Sequence, residues 1–212
     1  MISHSLKSRI ISVFVAAAIS ASFLTSCGKI TASVTIPSSS SSVTYEKGIT
    51  LPLNSNSGSG TTELYFPRAG ANAQAQLIKI INSTQKSLDM AIYSLTDKPV
   101  ASAVTAAHSR GVAVRIISDK EQSGGQYQKG LLRSFVKVGI PVKINSHAGL
   151  MHLKVTIADR KTVTTGSFNY TKSAQEKNDE VFVVLNDENS AQKFEDEFSQ
   201  MWSNNLHYTN FK

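Results

Sequence analysis

Residues 152–169 read HLKVTIADRKTVTTGSFN, and no other stretch restricts the fold as tightly. Two β-branched runs, 153–158 and 162–165, flank Asp159-Arg160-Lys161, the pattern of a strand pair joined by a tight turn. Side chains two apart on a strand point the same way, which puts His152 and Lys154 on one face. That face carries one nucleophile beside one permanent cation. The Gly166-Ser167-Phe168-Asn169 turn adds a hydroxyl and an amide, completing a cradle for a phosphate.

Around this stretch the chain alternates strand and helix patterns. Strands are expected at 62–66, 87–93, 112–118, 141–144 and 181–185. Helices are expected at 72–82, 99–110 and 127–138, the second entered by Pro99 and closed by Gly111, the third closed by Gly139. A last amphipathic helix spans 188–202, with Phe194, Phe198, Met201 and Trp202 on its apolar side. Ser123-Gly124-Gly125 reads as a loop. Such alternation predicts an α/β layered domain with the sheet flanked by helices. There is no internal repeat and no second H-x-K.

The N-terminal part differs in composition. Lys7 and Arg9 precede an uncharged, mostly apolar run from Ile10 to Leu24. That run is shorter than the roughly 20 residues a membrane-spanning helix needs, and it suits the core of an export signal. Leu24-Thr25-Ser26-Cys27 resembles a bacterial lipobox, cleaved before a cysteine that receives lipid; Cys27 is the chain's only cysteine. The alternative is a soluble exported protein cleaved after Ala32. Residues 27–60, with a serine run at 38–42 and the polar tract 54–60, read as a tether, with extended pieces at 33–36 and 49–53. The expected organisation is a signal peptide at 1–26, a tether at 27–60 and a domain at 61–212. Gly28 after the lipid cysteine leans the location towards the outer membrane of a bacterial envelope.

Net charge is +7, unevenly spread. Residues 98–172 hold twelve lysines and arginines against three acids, whereas 179–197 hold seven acids and one lysine. A basic region bracketing the His-Lys stretch would attract a polyanion such as nucleic acid, with strong salt dependence. A single cysteine excludes internal disulfides and cysteine-based zinc sites, and the five histidines lack clustered ligand spacing. Neither metal nor other cofactor is expected.

The stretch resembles the signature of the phospholipase D superfamily, H-x-K-x4-D-x6-G-S-x-N, at all six specified positions. Six residues at about 5% usage each coincide by chance roughly once in 10⁸ start positions. The resemblance extends to Leu64-Tyr65-Phe66-Pro67, to 87–94 and to Asn178-Asp179-Glu180, covering about Thr61 to Trp202. It is greatest to the short, single-motif, EDTA-resistant endonuclease branch. The resemblance implies a phospholipase D-like fold with a mixed sheet. It also implies His152 as nucleophile, Lys154, Ser167 and Asn169 as phosphate-binding groups, and Glu180 as the acid that orients a histidine. Asp159 and Gly166 would be structural. One motif supplies one histidine, so the resemblance further implies a homodimer sharing one active site. There the second copy's His152 would serve as general acid and base.

Lys120, Gln126, Tyr127 and Lys129 are candidates for lining a substrate groove, and His147 for a substrate contact. Three functions compete. The first is a metal-independent nuclease acting on DNA or RNA. The second is a phospholipase D acting on phosphatidyl lipids, helped by the lipid on Cys27. The third is a non-catalytic nucleic-acid receptor of the envelope.

Overall fold

The computed structural model describes residues 49–52 and 60–212. The signal, Cys27 and most of the tether lie outside these residues.

The described chain runs β1 (Ile49–Pro52), β2 (Thr61–Tyr65), α1 (Ala73–Ser83), β3 (Ser87–Ile92), α2 (Lys98–Ser109) and β4 (Ala113–Ser118). It continues through α3 (Lys120–Gly124), α4 (Gln126–Lys137), β5 (Val142–Asn145), β6 (Lys154–Ala158) and β7 (Thr162–Gly166). It ends with α5 (Lys172–Glu176), β8 (Phe182–Asn186), α6 (Glu188–Ser203) and β9 (Tyr208–Asn210). All strands join one sheet in the order β1-β2-β8-β7-β6-β3-β4-β5-β9. β3, β4 and β5 are parallel to one another, and the remaining pairings are antiparallel. The sheet is therefore mixed, as expected.

Side-chain alternation splits the core in two. Leu88, Met90, Ile92, Val114 and Ile116 face α1, α2 and α4 and pack on Leu77, Ile81, Val104, Leu132 and Phe135. Ala91, Ile117, Val155, Ile157 and Val163 face the other way, against Phe198 and Met201 of α6. The result is three layers, with the sheet between helices.

Four elements depart from the expected pattern. α3 occupies part of the expected loop, because the Asp119 carboxylate caps it by accepting from the N–H groups of Glu121 and Gln122, each at 3.0 Å. α5 and β9 are short additions, α5 capped by Thr171. β1 lies within the segment read as tether, on one of its expected extended pieces, and pairs with β2.

The β6–β7 hairpin turns on Asp159 and Arg160, both with positive φ (54° and 55°), closed by Lys161 N–H donating to the Ala158 carbonyl at 3.0 Å. β6 is antiparallel to β3 and to β7, and β7 to β8. The end of β3, the start of β6, the end of β7 and the start of β8 therefore meet at one edge of the sheet. All the signature's polar groups except Asp159 are carried there.

Candidate active site

His152 is exposed in the extended segment just before β6, and Lys154 opens that strand with 6% of its surface exposed. The shared face expected from their spacing is real. Lys154 Nζ lies 3.0 Å from His152 Nε2 and donates to the His152 carbonyl at 2.8 Å. An ammonium has only protons to offer, so Nε2 must present its lone pair, which places the ring proton on Nδ1. Burial pushes the Lys154 ammonium below the ordinary lysine value, and the Glu180 charge pulls against that shift.

Tyr93, the residue after β3, forms the wall behind this pair. Its ring centroid is 4.5 Å from that of His152, and Lys154 Nζ sits 4.8 Å from it. The Tyr93 hydroxyl accepts from Gln122 Nε2 at 3.1 Å, and its carbonyl accepts from Gln128 Nε2 at 3.0 Å. Gln128 is buried and also accepts from the Leu95 N–H at 2.8 Å. Asp119, fully buried, accepts from the Met151 N–H at 2.9 Å and so fixes the backbone entering His152.

The second part of the cradle follows β7. Gly166 has φ +126°, and a Cβ there would collide with the Val181 carbonyl oxygen, so only glycine fits. This close approach lets Ser167 N–H donate to the Val181 carbonyl at 3.0 Å. The Ser167 hydroxyl donates to Glu180 and accepts from the Val181 N–H at 3.1 Å. Glu180 also accepts from Asn178 Nδ2 at 3.0 Å. Within the chain Glu180 thus bonds to Ser167 and Asn178, and no described hydrogen bond joins it to His152. Asn169 has a buried Oδ1 without a hydrogen-bond partner, and its Nδ2 is the donor an amide offers. The segment is pinned by Tyr170, whose N–H donates to the Ser94 carbonyl at 3.0 Å and whose hydroxyl meets Thr156 Oγ1 at 2.7 Å.

Asp159 lies at the far end of β6. Its carboxylate accepts from the N–H groups of Gln85, Lys86 and Ser87 at 2.9, 2.6 and 3.0 Å, clamping the start of β3. Partial burial works to raise its pKa, but these three donors outweigh it and hold the carboxyl below its ordinary value.

The groove candidates Lys120, Gln126 and Tyr127 are exposed on α3 and α4, and Lys129 is half-buried. Their helix neighbours Gln122 and Gln128 are the residues that touch the site. Sequence reasoning missed Tyr93, Gln122 and Gln128. For Gln122 a signal existed, since Asp119 and Gln122 have capping-box spacing. Beside Ser167 and Glu180 opens a cavity of about 790 Å³, bordered by Leu64, Phe66, Arg68, Ala69 and Val181. Among the described residues no three histidines, cysteines or acids are placed to hold a metal ion.

Comparison with known proteins agrees with this geometry. Residues 77–202 match the family described as cardiolipin synthase, PLD-like domain. The chain is 33% identical over 145 residues to mitochondrial cardiolipin hydrolase of Canis lupus familiaris, covering 67% of the chain and 56% of the relative. It is 31% identical over 133 residues to a phospholipase D of Rickettsia typhi, covering 62% and 64%. The chain thus spans 56% and 64% of the length of these curated relatives. Among solved structures it is similar to the phospholipase D family member Nuc from Salmonella typhimurium, with TM-score 0.67, 30% identity, and coverage of 72% of this chain and 99% of that one. It is also similar to NucT from Helicobacter pylori, with TM-score 0.59, 30% identity, and coverage of 68% and 96%. The signature, the mixed sheet that gathers it and these likenesses agree: the chain belongs to the phospholipase D superfamily.

Proposed function

We propose that the protein is a metal-independent phosphodiesterase that cuts nucleic acid, as a non-specific endonuclease. The observation that carries the reading is the exposed His152 Nε2 facing the Lys154 ammonium at 3.0 Å. A phosphodiester repels nucleophiles, so its oxygens must be neutralised before attack. Lys154 supplies charge, Asn169 supplies an amide donor, and Ser167 donates once its hydroxyl turns from Glu180 to the phosphate. His152 Nε2 forms a bond to phosphorus while the P–O bond to the leaving group breaks, giving a phosphohistidine. The leaving oxygen needs a proton, and one chain offers one histidine of this kind. A second copy of the chain, paired about a two-fold axis, brings its own His152 as that acid. The same group then takes a proton from water, which displaces the histidine from phosphorus. Glu180, already bonded to Ser167, lies within reach of Lys154 by charge and is the acid available to orient an imidazole in the paired site.

The twelve basic residues between 98 and 172 favour a polyanion, and the site is an open edge. A second reading, hydrolysis of phosphatidyl lipids, is favoured by the cavity bordered by Leu64, Phe66, Ala69 and Val181. Lipid on Cys27 would hold the domain at an envelope membrane under either reading. Incubating the protein with single-stranded DNA, duplex DNA, RNA, and phosphatidylcholine or cardiolipin vesicles, each in EDTA, separates them. Cleavage of nucleic acid is the expected result; cleavage of lipid alone would overturn the nuclease reading. Binding of DNA without cleavage would favour the envelope receptor. His152→Ala should lower the rate by at least about 10³-fold while leaving the circular dichroism spectrum intact.

A further inference from the structure

We infer that Tyr93 is a positioning residue for the nucleophile, holding the His152 imidazole and the Lys154 ammonium in register through its ring. The inference rests on the phosphodiesterase reading above. His152 is exposed, and an exposed imidazole ordinarily rotates about two side-chain bonds. Lys154 has four such bonds and a charge that hydrates readily. The ammonium is anchored at its base by the His152 carbonyl, but its 3.0 Å contact with Nε2 holds only while the exposed imidazole stays in one place. Tyr93 supplies the constraint for both. Its ring lies 4.5 Å from the His152 ring at an interplanar angle of 58°, packing one side of the imidazole. The same ring lies 4.8 Å from Lys154 Nζ, within the range where an aromatic face attracts a cation. One rigid side chain thus sets the place of nucleophile and cation together.

Tyr93 is itself fixed at three points. Its N–H donates to the Leu153 carbonyl at 2.8 Å, tying it to the residue between His152 and Lys154. Gln128 holds its carbonyl and Gln122 its hydroxyl. Asp119 couples these supports to the catalytic segment, because it caps the helix that carries Gln122 and also binds the Met151 N–H. The ring does the positioning, and the hydroxyl only orients the ring.

The test compares Tyr93→Leu and Tyr93→Phe in the full chain, using bis(p-nitrophenyl) phosphate hydrolysis in EDTA and ¹H–¹⁵N spectra of the histidine ring nitrogens. His152→Ala identifies the His152 signals. Tyr93→Leu should lower kcat about 10²-fold with much less change in KM, the signature of a misplaced reacting group. Tyr93→Phe, which keeps the ring, should recover most of that loss. In the spectra the Nδ1–H tautomer of His152 should dominate in the wild type and in Tyr93→Phe, and become mixed in Tyr93→Leu. Should leucine unfold the protein, Tyr93→Met fills similar space without a ring and reads the same way. A ring-less variant that is folded, with wild-type kcat and an unchanged tautomer, would overturn the inference. A Tyr93→Phe loss as large as that of Tyr93→Leu would overturn it too, by moving the role to the hydroxyl. If the wild-type protein leaves the phosphodiester intact, the phosphodiesterase reading fails, and the tautomer comparison still decides whether Tyr93 positions the pair.

Discussion

Gly166 and Asp159 belong to the same signature, yet each serves the site without facing it. At Gly166 a methyl group would collide with the Val181 carbonyl and would also sit at φ +126°. Gly166→Ala is therefore expected to cost about 3 kcal/mol, measured by urea unfolding, and to lower kcat by pushing Ser167 away from Glu180. At Asp159 the charge matters through three backbone donors rather than through substrate. Its folded-state pKa is depressed, so its contribution to stability is complete above the unfolded value of about 3.9 and is lost as pH falls through the folded value. Asp159→Asn tolerates the same positive φ, but it removes the charge and turns one of the two accepting oxygens into an amide donor that faces a backbone N–H. It should be less stable than the wild type at neutral pH, with the gap narrowing on acidification, and its kcat should be unchanged. A stability difference as large below both pKa values as at neutral pH would contradict a role for the charge.

Elements differed in how openly the sequence announced them. Strands with apolar runs and helices bounded by Pro99, Gly111 and Gly139 were legible because their signals are local. The shared face of His152 and Lys154 was legible too, since strand periodicity gives it. Tyr93 was not, because its place beside His152 depends on β3 pairing with β6, some sixty residues away. α3 was hidden by Gly124-Gly125, which outweighed the Asp119 cap in a local reading. Glu195 was hidden for another reason: it sits on the buried side of α6 at 3% exposure. It is held there by Arg115, which binds Glu195 at 2.9 Å and Asp89 at 2.7 Å while lying over the Phe198 and Trp202 rings. These contacts lock β3, β4 and α6 together. Arg115→Leu would leave two buried carboxylates facing each other, with an expected loss of about 3–5 kcal/mol read by denaturant unfolding. A loss below about 1 kcal/mol would show that water already reaches this cluster.

For the whole molecule the sheet order explains why one edge collects the chemistry: successive antiparallel neighbours return the chain to it at Tyr93, Lys154, Ser167 and Glu180. What that edge presents in one chain is one histidine, one lysine, one serine and one asparagine, half of what an in-line displacement with a protonated leaving group requires. The proposed dimer would complete it, and the excess of basic residues over 98–172 is the sequence feature behind the proposal of a polyanionic substrate. The most direct measurement is covalent trapping. Single-stranded DNA is mixed with the full-length protein in EDTA, the reaction is stopped with alkali within the first turnovers, and the protein is digested and sequenced by mass spectrometry. The account predicts a phosphoryl group, with or without attached nucleotides, on His152 in the wild type and none in His152→Ala. DNA cleavage in EDTA with no adduct on His152, or cleavage abolished by EDTA, would contradict it.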